Sequence, residues 1–286
     1  MVREFIDDDL NEINRILKDE CLISDEELKE FQKRLQNKTN TTFVYDESGI
    51  KGFIELNKTS EEFNKWSINI YVLKNSRKSG IASLLYKKAS EYLKNEKANL
   101  ITISFRKDIE DSTEFFKKLG FKTWFSCYDM KYTGTKQSKS SLEFKNYEDR
   151  YFEKYEKLGG ECFYELRKAN DITPYKSIEI SDENRKNTLK RKDNIYITVD
   201  SEDEIIASVF MENGIIDFVM VNSKYQGNGY GRETMKFAIN KCIERGYDSI
   251  VLGVVKWNQK AFKLYKSLGF EKIEETQFLR QFMDKE

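Results

Sequence analysis

No histidine occurs in the 286 residues of this sequence. That absence removes the commonest general base, the usual nucleophile–base triads and most transition-metal sites, because imidazole is the side chain that titrates near neutrality. Proton transfer falls to carboxylate, tyrosine, lysine, thiol or water. Cysteine is scarce: Cys21, Cys127, Cys162 and Cys242 stand far apart with no CxxC pair, which argues against a zinc site or a disulfide framework and fits a reducing compartment. No apolar run approaches the roughly 20 residues that span a bilayer, and the opening MVREFIDDDL is acidic where a secretory leader is basic and then apolar. Lys+Arg and Asp+Glu both number 49, for a formal net charge of zero, so no overall field draws the chain to nucleic acid or an anionic membrane. The expectation is a cytoplasmic protein with no metal, nucleic-acid or membrane partner.

What is there is a plan used twice. The length suits two domains, each able to bury a core, and the polar stretch TGTKQSKSSL from Thr133 reads as a linker. The expected division is 1–135 and 136–286. Arg77-Lys78-Ser79-Gly80-Ile81-Ala82 and Gln226-Gly227-Asn228-Gly229-Tyr230-Gly231 share the form R/Q-x-x-G-x-A/G at an offset of 149 residues, and Gly269 of Leu-Gly-Phe follows Gly120 of Leu-Gly-Phe at the same offset. Two matches in register argue for a duplicated domain.

Around these motifs the elements repeat. TTFVYD, IKGFIEL and INIYV in the first half, and IYITV, IIASVFM and IIDFVMV in the second, are β-branched or aromatic runs that predict strands. After each glycine turn comes a helix; Met235, Ala238, Ile239 and Cys242 fall at the spacing of one buried face. ITISF and IVLGVV predict another strand in each half, followed by a helix carrying Phe115, Phe116 and Leu119 or Ala261, Leu264, Tyr265 and Leu268. The result is a mixed α/β fold in two tandem copies, with the segment DDDLNEINRIL helical.

The turn at Gly227 and Gly229 lies between a strand ending at Val221 and a helix starting near Tyr230. Glycine there permits close backbone approach and the helix N-terminus favours negative charge, so the turn suits a pyrophosphate. It is neither GxxxxGK[ST] nor GxGxxG, and a tight strand-to-helix connection is the plainer alternative.

Gln226, Gly229 and Gly231, followed by Asn258, Ala261, Tyr265, Gly269 and Phe270 in VLGVVKWNQKAFKLYKSLGF, fill the pattern Q/R-x-x-G-x-G/A … N-x-x-A-x-x-x-Y-x-x-x-G-F. Over residues 195 to 280 the sequence resembles the GNAT superfamily of N-acetyltransferases. The resemblance implies tandem GNAT-like domains, each a mixed, mostly antiparallel sheet flanked by helices, and transfer of acetyl from acetyl-CoA to a primary amine of a small molecule or peptide, without metal. The coenzyme would lie along Val219, Met220 and Val221, the turn Gln226, Gly227, Asn228, Gly229, Tyr230, Gly231 and Arg232, and the helix start at Asn258 and Ala261. The first half matches less fully, since the offset sets Ile109 and Phe116 where the second half has Asn258 and Tyr265. One intact and one eroded half resemble the tandem arrangement of mycothiol-synthase-type acetyltransferases. A non-catalytic acyl-CoA-binding module, regulatory or protein-binding, is the alternative.

Direct transfer needs an acid and a base. Tyr265 is the candidate acid, its alternative being packing on the apolar helix face. Asp217, inside the apolar strand IIDFVMV, is the candidate base if burial raises its pKa; a carboxylate solvated at a strand edge or bonded to a neighbouring turn is the alternative. Glu212, at the turn MENG, is held in reserve. Asn258 reads equally as a helix cap. Lys256 and Trp257 read as a solvated lysine and a half-buried indole, Arg77 and Lys78 as an exposed basic pair or a phosphate attractor, and RKNTLKRKD at 185–193 as a solvated face. The Lys-, Asn- and Ile-rich composition points to a bacterial source.

Overall fold

The computed structural model describes residues 1–21, 25–35 and 40–283, with the side chains of residues 21 and 25–27 set aside. Its contacts divide into two compact units. The first comprises Met1–Phe105, Glu110–Thr123 and Phe278–Glu286, and the second Arg106–Ile109 and Trp124–Gln277. The end of the described chain, from Phe278 to residue 283, thus belongs with the N-terminal unit.

In the first unit, β1 (Val2–Glu4), β2 (Thr41–Asp46), β3 (Ile50–Ser60) and β4 (Lys65–Val72) pair antiparallel in sequence order. β5 (Leu100–Arg106) then pairs parallel to β4, but only from Lys65↔Leu100 to Ser67↔Thr102. The helices are α1 (Leu10–Cys21), α2 (Asp25–Leu35), α3 (Ile81–Asn95) and α4 (Thr113–Lys118). Side chains alternate across β3: Ile54 and Leu56 join Leu85, Ala89 and Leu93 of α3, while Phe53 joins Ile13, Ile16 and Phe31 of α1 and α2. Both faces are therefore covered, and each fully buried leucine contributes about 1.5–3 kcal/mol.

The second unit contains β6 (Lys122–Tyr132, from Trp124 onward), β7 (Lys145–Asn146), β8 (Ile195–Val199), β9 (Ile205–Glu212), β10 (Ile215–Val221), β11 (Val251–Val255) and most of β12 (Phe270–Phe282). Its helices are α5 (Phe152–Cys162), α6 (Tyr164–Ala169), α7 (Asp182–Lys190), α8 (Tyr230–Glu244) and α9 (Gln259–Leu268). β7 to β10 pair antiparallel in sequence order, β10 and β11 are parallel, and β11 is antiparallel to β6. As the apolar spacing predicts, Met235, Ala238, Ile239 and Cys242 are wholly buried beneath α8. α5 covers the other face through Phe152 and Leu158 on Ile195, Phe210 and Met220.

The repeat is exact in length at its centre: α3 and α8 each have 15 residues and begin one residue after a glycine in the left-handed region, Gly80 at φ 86° and Gly229 at φ 80°. Among the described residues no helix is long and apolar enough to cross a membrane. Cys127, Cys162 and Cys242 are free thiols, while the Cys21 side chain lies outside the described residues.

Candidate active site

The site begins with a defect in a strand. Asp217 of β10 faces Phe210 of β9, and Met220 faces Ser208, so Phe218 and Val219 together oppose one residue. Phe218 takes φ 46°, which a bulky residue adopts only under constraint. This is a β-bulge, which bends a strand and re-aims its side chains. β10 meets β11 at Ile215↔Val251 and at no further residue pair among those described, so the two parallel strands part before Val219, Met220 and Val221. The backbone of β10 is thus splayed from β11 along Val219, Met220 and Val221.

Beyond Val221 the chain makes one short 3-10 turn, Ser223–Tyr225, and enters the glycine segment. Gly227 and Gly229 have φ 89° and 80°, and a Cβ on either would meet no atom within 4 Å. Their conformation therefore opens the backbone to an approaching ligand rather than relieving a clash. Gly231 differs, since its Cβ would lie 3.6 Å from Leu264, as a packing glycine should. Helical bonding starts with Arg232 N–H and Glu233 N–H donating to Gly229 O at 2.9 and 3.2 Å, which leaves the amides of Tyr230 and Gly231 as unpaired donors of a helix start. Those residues fit a pyrophosphate at the helix N-terminus.

The polar residues of the motif have structural duties as well. Gln226 Nε2 donates to Val221 O at 3.1 Å, and in the first unit Arg77 Nε donates to Val72 O at 3.1 Å. The R/Q position thus ties each turn back to the end of its own strand. Arg77 is also paired with Glu110 and is not a free phosphate attractor. Asn228 bonds Tyr225 O at 3.2 Å, and Arg232 bonds Ser267 Oγ of α9 at 2.6 Å. Asn258 caps α9, its Oδ1 accepting from Ala261 N–H at 3.1 Å.

Tyr265 is 8% exposed and packs its ring on Phe270. Burial, helped by the negative charge of Asp217, pushes its phenol up to about 12. Asp217 itself departs from expectation. It is exposed, its carboxylate accepting from Phe218 N–H at 2.8 Å, because it still pairs in register with Phe210 and alternates with buried Ile216 onto the open face of β10. The premise of burial therefore fails, whereas the alternative of a solvated carboxylate bonded at a turn holds. Glu212 lies at the hairpin end of β10, opposite Ile215, and accepts from Asn194 Nδ2 at 3.0 Å. The structure does not bring it to the bulge.

Lys256 is exposed and paired with Glu275 at 3.0 Å. Trp257 is 49% exposed, the half-buried indole expected. In the 185–193 cluster Arg185 pairs with Asp149 at 2.6 Å and the remaining residues are largely exposed. No cluster of His, Cys, Asp or Glu able to hold a metal occurs among the described residues. Reading the sequence missed the bulge, for IIDFVMV carries no break. The one signal nearby is Gly159-Gly160 in α5, a glycine pair that lets a helix approach a strand; a Cβ at Gly159 would lie 3.7 Å from Met220 Sδ.

A mostly antiparallel arrangement of strands in each unit, with a splayed parallel pair beside a glycine turn that opens a helix, defines a duplicated α/β fold. The chain belongs to the acetyltransferase (GNAT) family, whose model matches residues 8–121 and again 149–270. Among curated proteins it is similar to human N-alpha-acetyltransferase 30, with 35% identity over 71 residues, 25% of this chain and 19% of that protein. The match thus spans about a fifth of that relative's length. Among solved structures it is similar to a GCN5-related N-acetyltransferase from Sphaerobacter thermophilus, with TM-score 0.70 and 15% identity over 99% of this chain and 95% of that one. A tandem GNAT protein from the clavulanic acid biosynthesis pathway matches with TM-score 0.63 and 13% identity over 100% and 99% of the two chains. These two likenesses concern the fold.

Proposed function

We propose that the second unit transfers an acetyl group from acetyl-CoA to a primary amine of a small molecule or peptide. The observation that carries this reading is the bulge at Phe218–Val219, which frees the inner edge of β10 beside the open Gly227–Gly229 turn. The turn and the first amides of α8 would hold the phosphates, and backbone N–H groups of Val219 to Val221 would stabilise charge developing on the acyl oxygen, the most effective form of electrostatic catalysis. Acetyl-CoA, when bound, supplies the activated acyl carbon. The amine nitrogen bonds to that carbon as the carbon–sulfur bond breaks, one amine proton leaves and sulfur gains one. Asp217, exposed and beside the bulge, receives the amine proton directly or through water.

Tyr265 stays protonated at neutral pH, so it donates rather than accepts. A phenol near pKa 12 is a weaker acid than a thiol near 8.5. Its part is a hydrogen bond to the departing sulfur, with the proton drawn finally from solvent. Tyr265→Phe keeps the ring and removes the donor; kcat in a thiol-release assay should fall about a hundredfold with coenzyme affinity unchanged. An unaltered rate at every pH would remove Tyr265 from the reaction.

The first unit supports a second reading. A cavity of about 530 Å³ opens at its own glycine turn, between the diverging β4 and β5 and lined by Tyr71, Arg77, Gly80, Ile81, Phe105 and Phe116 among others. It is shaped for the same coenzyme but has Phe116 where the second unit has Tyr265, so we assign it binding without transfer.

A further inference from the structure

A second cavity, of about 300 Å³, lies on the α5 and α7 side of β10. Its size is at the small end of ligand pockets. Phe218 of the bulge and Met220 line it, and Phe163 stands edge-on to Phe218 with ring centroids 5.8 Å apart. These residues make an apolar middle next to the strand segment assigned to transfer.

The charged groups around that middle are unusual. Arg191 rests its guanidinium 3.9 Å from the ring centroid of Phe210, and Arg167 donates from Nη1 to Pro174 O at 3.3 Å. Glu156 accepts from Glu179 N–H at 3.4 Å. All three line the cavity, and none is in an ion pair among the described residues. Their neighbours behave otherwise: Arg185 pairs with Asp149 at 2.6 Å and Arg150 with Asp203 at 2.8 Å. Stacking fixes the plane of Arg191 without using its hydrogen-bond donors, which leaves a fork suited to a carboxylate. With Glu179 the lining holds two guanidiniums and two carboxylates, which matches a ligand carrying both charges better than one carrying a single sign. Tyr155, also in the wall, feels the charges of Glu156, Arg191 and Asp217 together, and burial chiefly holds its phenol well above the usual range. The cavity adjoins the bulge through Phe218, the residue that follows Asp217.

Resting on the transferase reading above, we infer that the acceptor is a small zwitterion, an amino acid, whose carboxylate is bound by Arg191 and Arg167 and whose ammonium group lies toward Glu156 and the bulge. Polyamines and amino sugars lack the carboxylate, and a peptide N-terminus carries it too far from the amine.

The test is direct binding to the intact protein without acetyl-CoA. Wild type is titrated calorimetrically with the free α-amino acids, β-alanine and γ-aminobutyrate, and with the amine that each would leave on decarboxylation. At least one amino acid should bind about tenfold or more tightly than its decarboxylated counterpart, the worth of one charge-assisted pair. Arg191→Gln should erase that preference, and Arg167→Gln should reduce it. Amines binding as well as amino acids, no amino acid binding at millimolar concentration, or a preference untouched by Arg191→Gln would overturn the inference. Thiol release separates the two claims. Amino acids that bind but never accelerate it would sink the transferase reading and leave the pocket standing, while acceleration by carboxylate-free amines alone would do the reverse.

Discussion

β4 and β10 occupy corresponding places in the two units, and only β10 is bulged. From Ile68↔Leu56 to Val72↔Gly52 the pairing of β4 with β3 runs without a register shift, and Ile68 is wholly buried. Its counterpart at the 149-residue offset is Asp217, exposed at the edge of the bulge. The turn that follows is alike in both units, down to a side-chain bond from the R/Q position to the carbonyl of Val72 or Val221. The glycine turn and its strand-end tie therefore survive in both, while the bulge and the phenol proposed for acyl transfer occur in one. On the proposed reading, duplication lets one copy bind while the other carries the chemistry, because the two demands fall on different elements.

The strongest test of that contrast replaces the turn glycines. Gly80→Val and Gly229→Val impose the same left-handed strain, about 1–2 kcal/mol each, so stability is matched between them. Calorimetry with acetyl-CoA should find two sites per wild-type chain and one in either variant. Transfer should fall roughly a hundredfold for Gly229→Val, since displaced phosphates misplace the reacting carbon, and stay intact for Gly80→Val. Loss of transfer in Gly80→Val would assign catalysis to the first unit instead.

A smaller effect concerns alkali. Tyr86 in the first unit and Tyr265 in the second are both pushed from 10.0 to about 12, chiefly by burial. A folded-state pKa above the unfolded one favours the folded state while the phenol is protonated. That contribution is complete below pH 10 and is lost as pH rises to 12. Urea midpoints should fall across this window, and Tyr86→Phe or Tyr265→Phe should each flatten the fall; a slope unchanged in both variants would refute the assignment.

The smallest effect is that of the strand-end ties. Gln226→Ala and Arg77→Ala should each cost about 1 kcal/mol in urea unfolding. Gln226→Arg should be nearly neutral if the two residues serve one purpose.

Much of this architecture was legible in the residues. TTFVYD, IIASVFM and the 3.6-residue spacing of Met235, Ala238, Ile239 and Cys242 named their own elements, and the equal offsets named the repeat. The Gly227–Gly229 turn and the helix after it lie where the motif put them. Asp217 was misjudged because an apolar run was taken as buried on both faces, whereas Ile216 faces the core and Ile215 and Asp217 alternate onto an open face. Arg191 was read as one of a run of surface charges, yet it rests on Phe210, 19 residues later in the chain.

The sequence by itself determined the duplicated α/β plan, the glycine turns and the family, since each rests on local periodicity or on residues at fixed spacing. The tertiary structure alone decided which strand is splayed, where Asp217 points and which arginines have no ion-pair partner among the described residues. Those properties depend on what packs across the chain, as when Gly159 admits Met220 beneath α5, and no spacing within a segment encodes them.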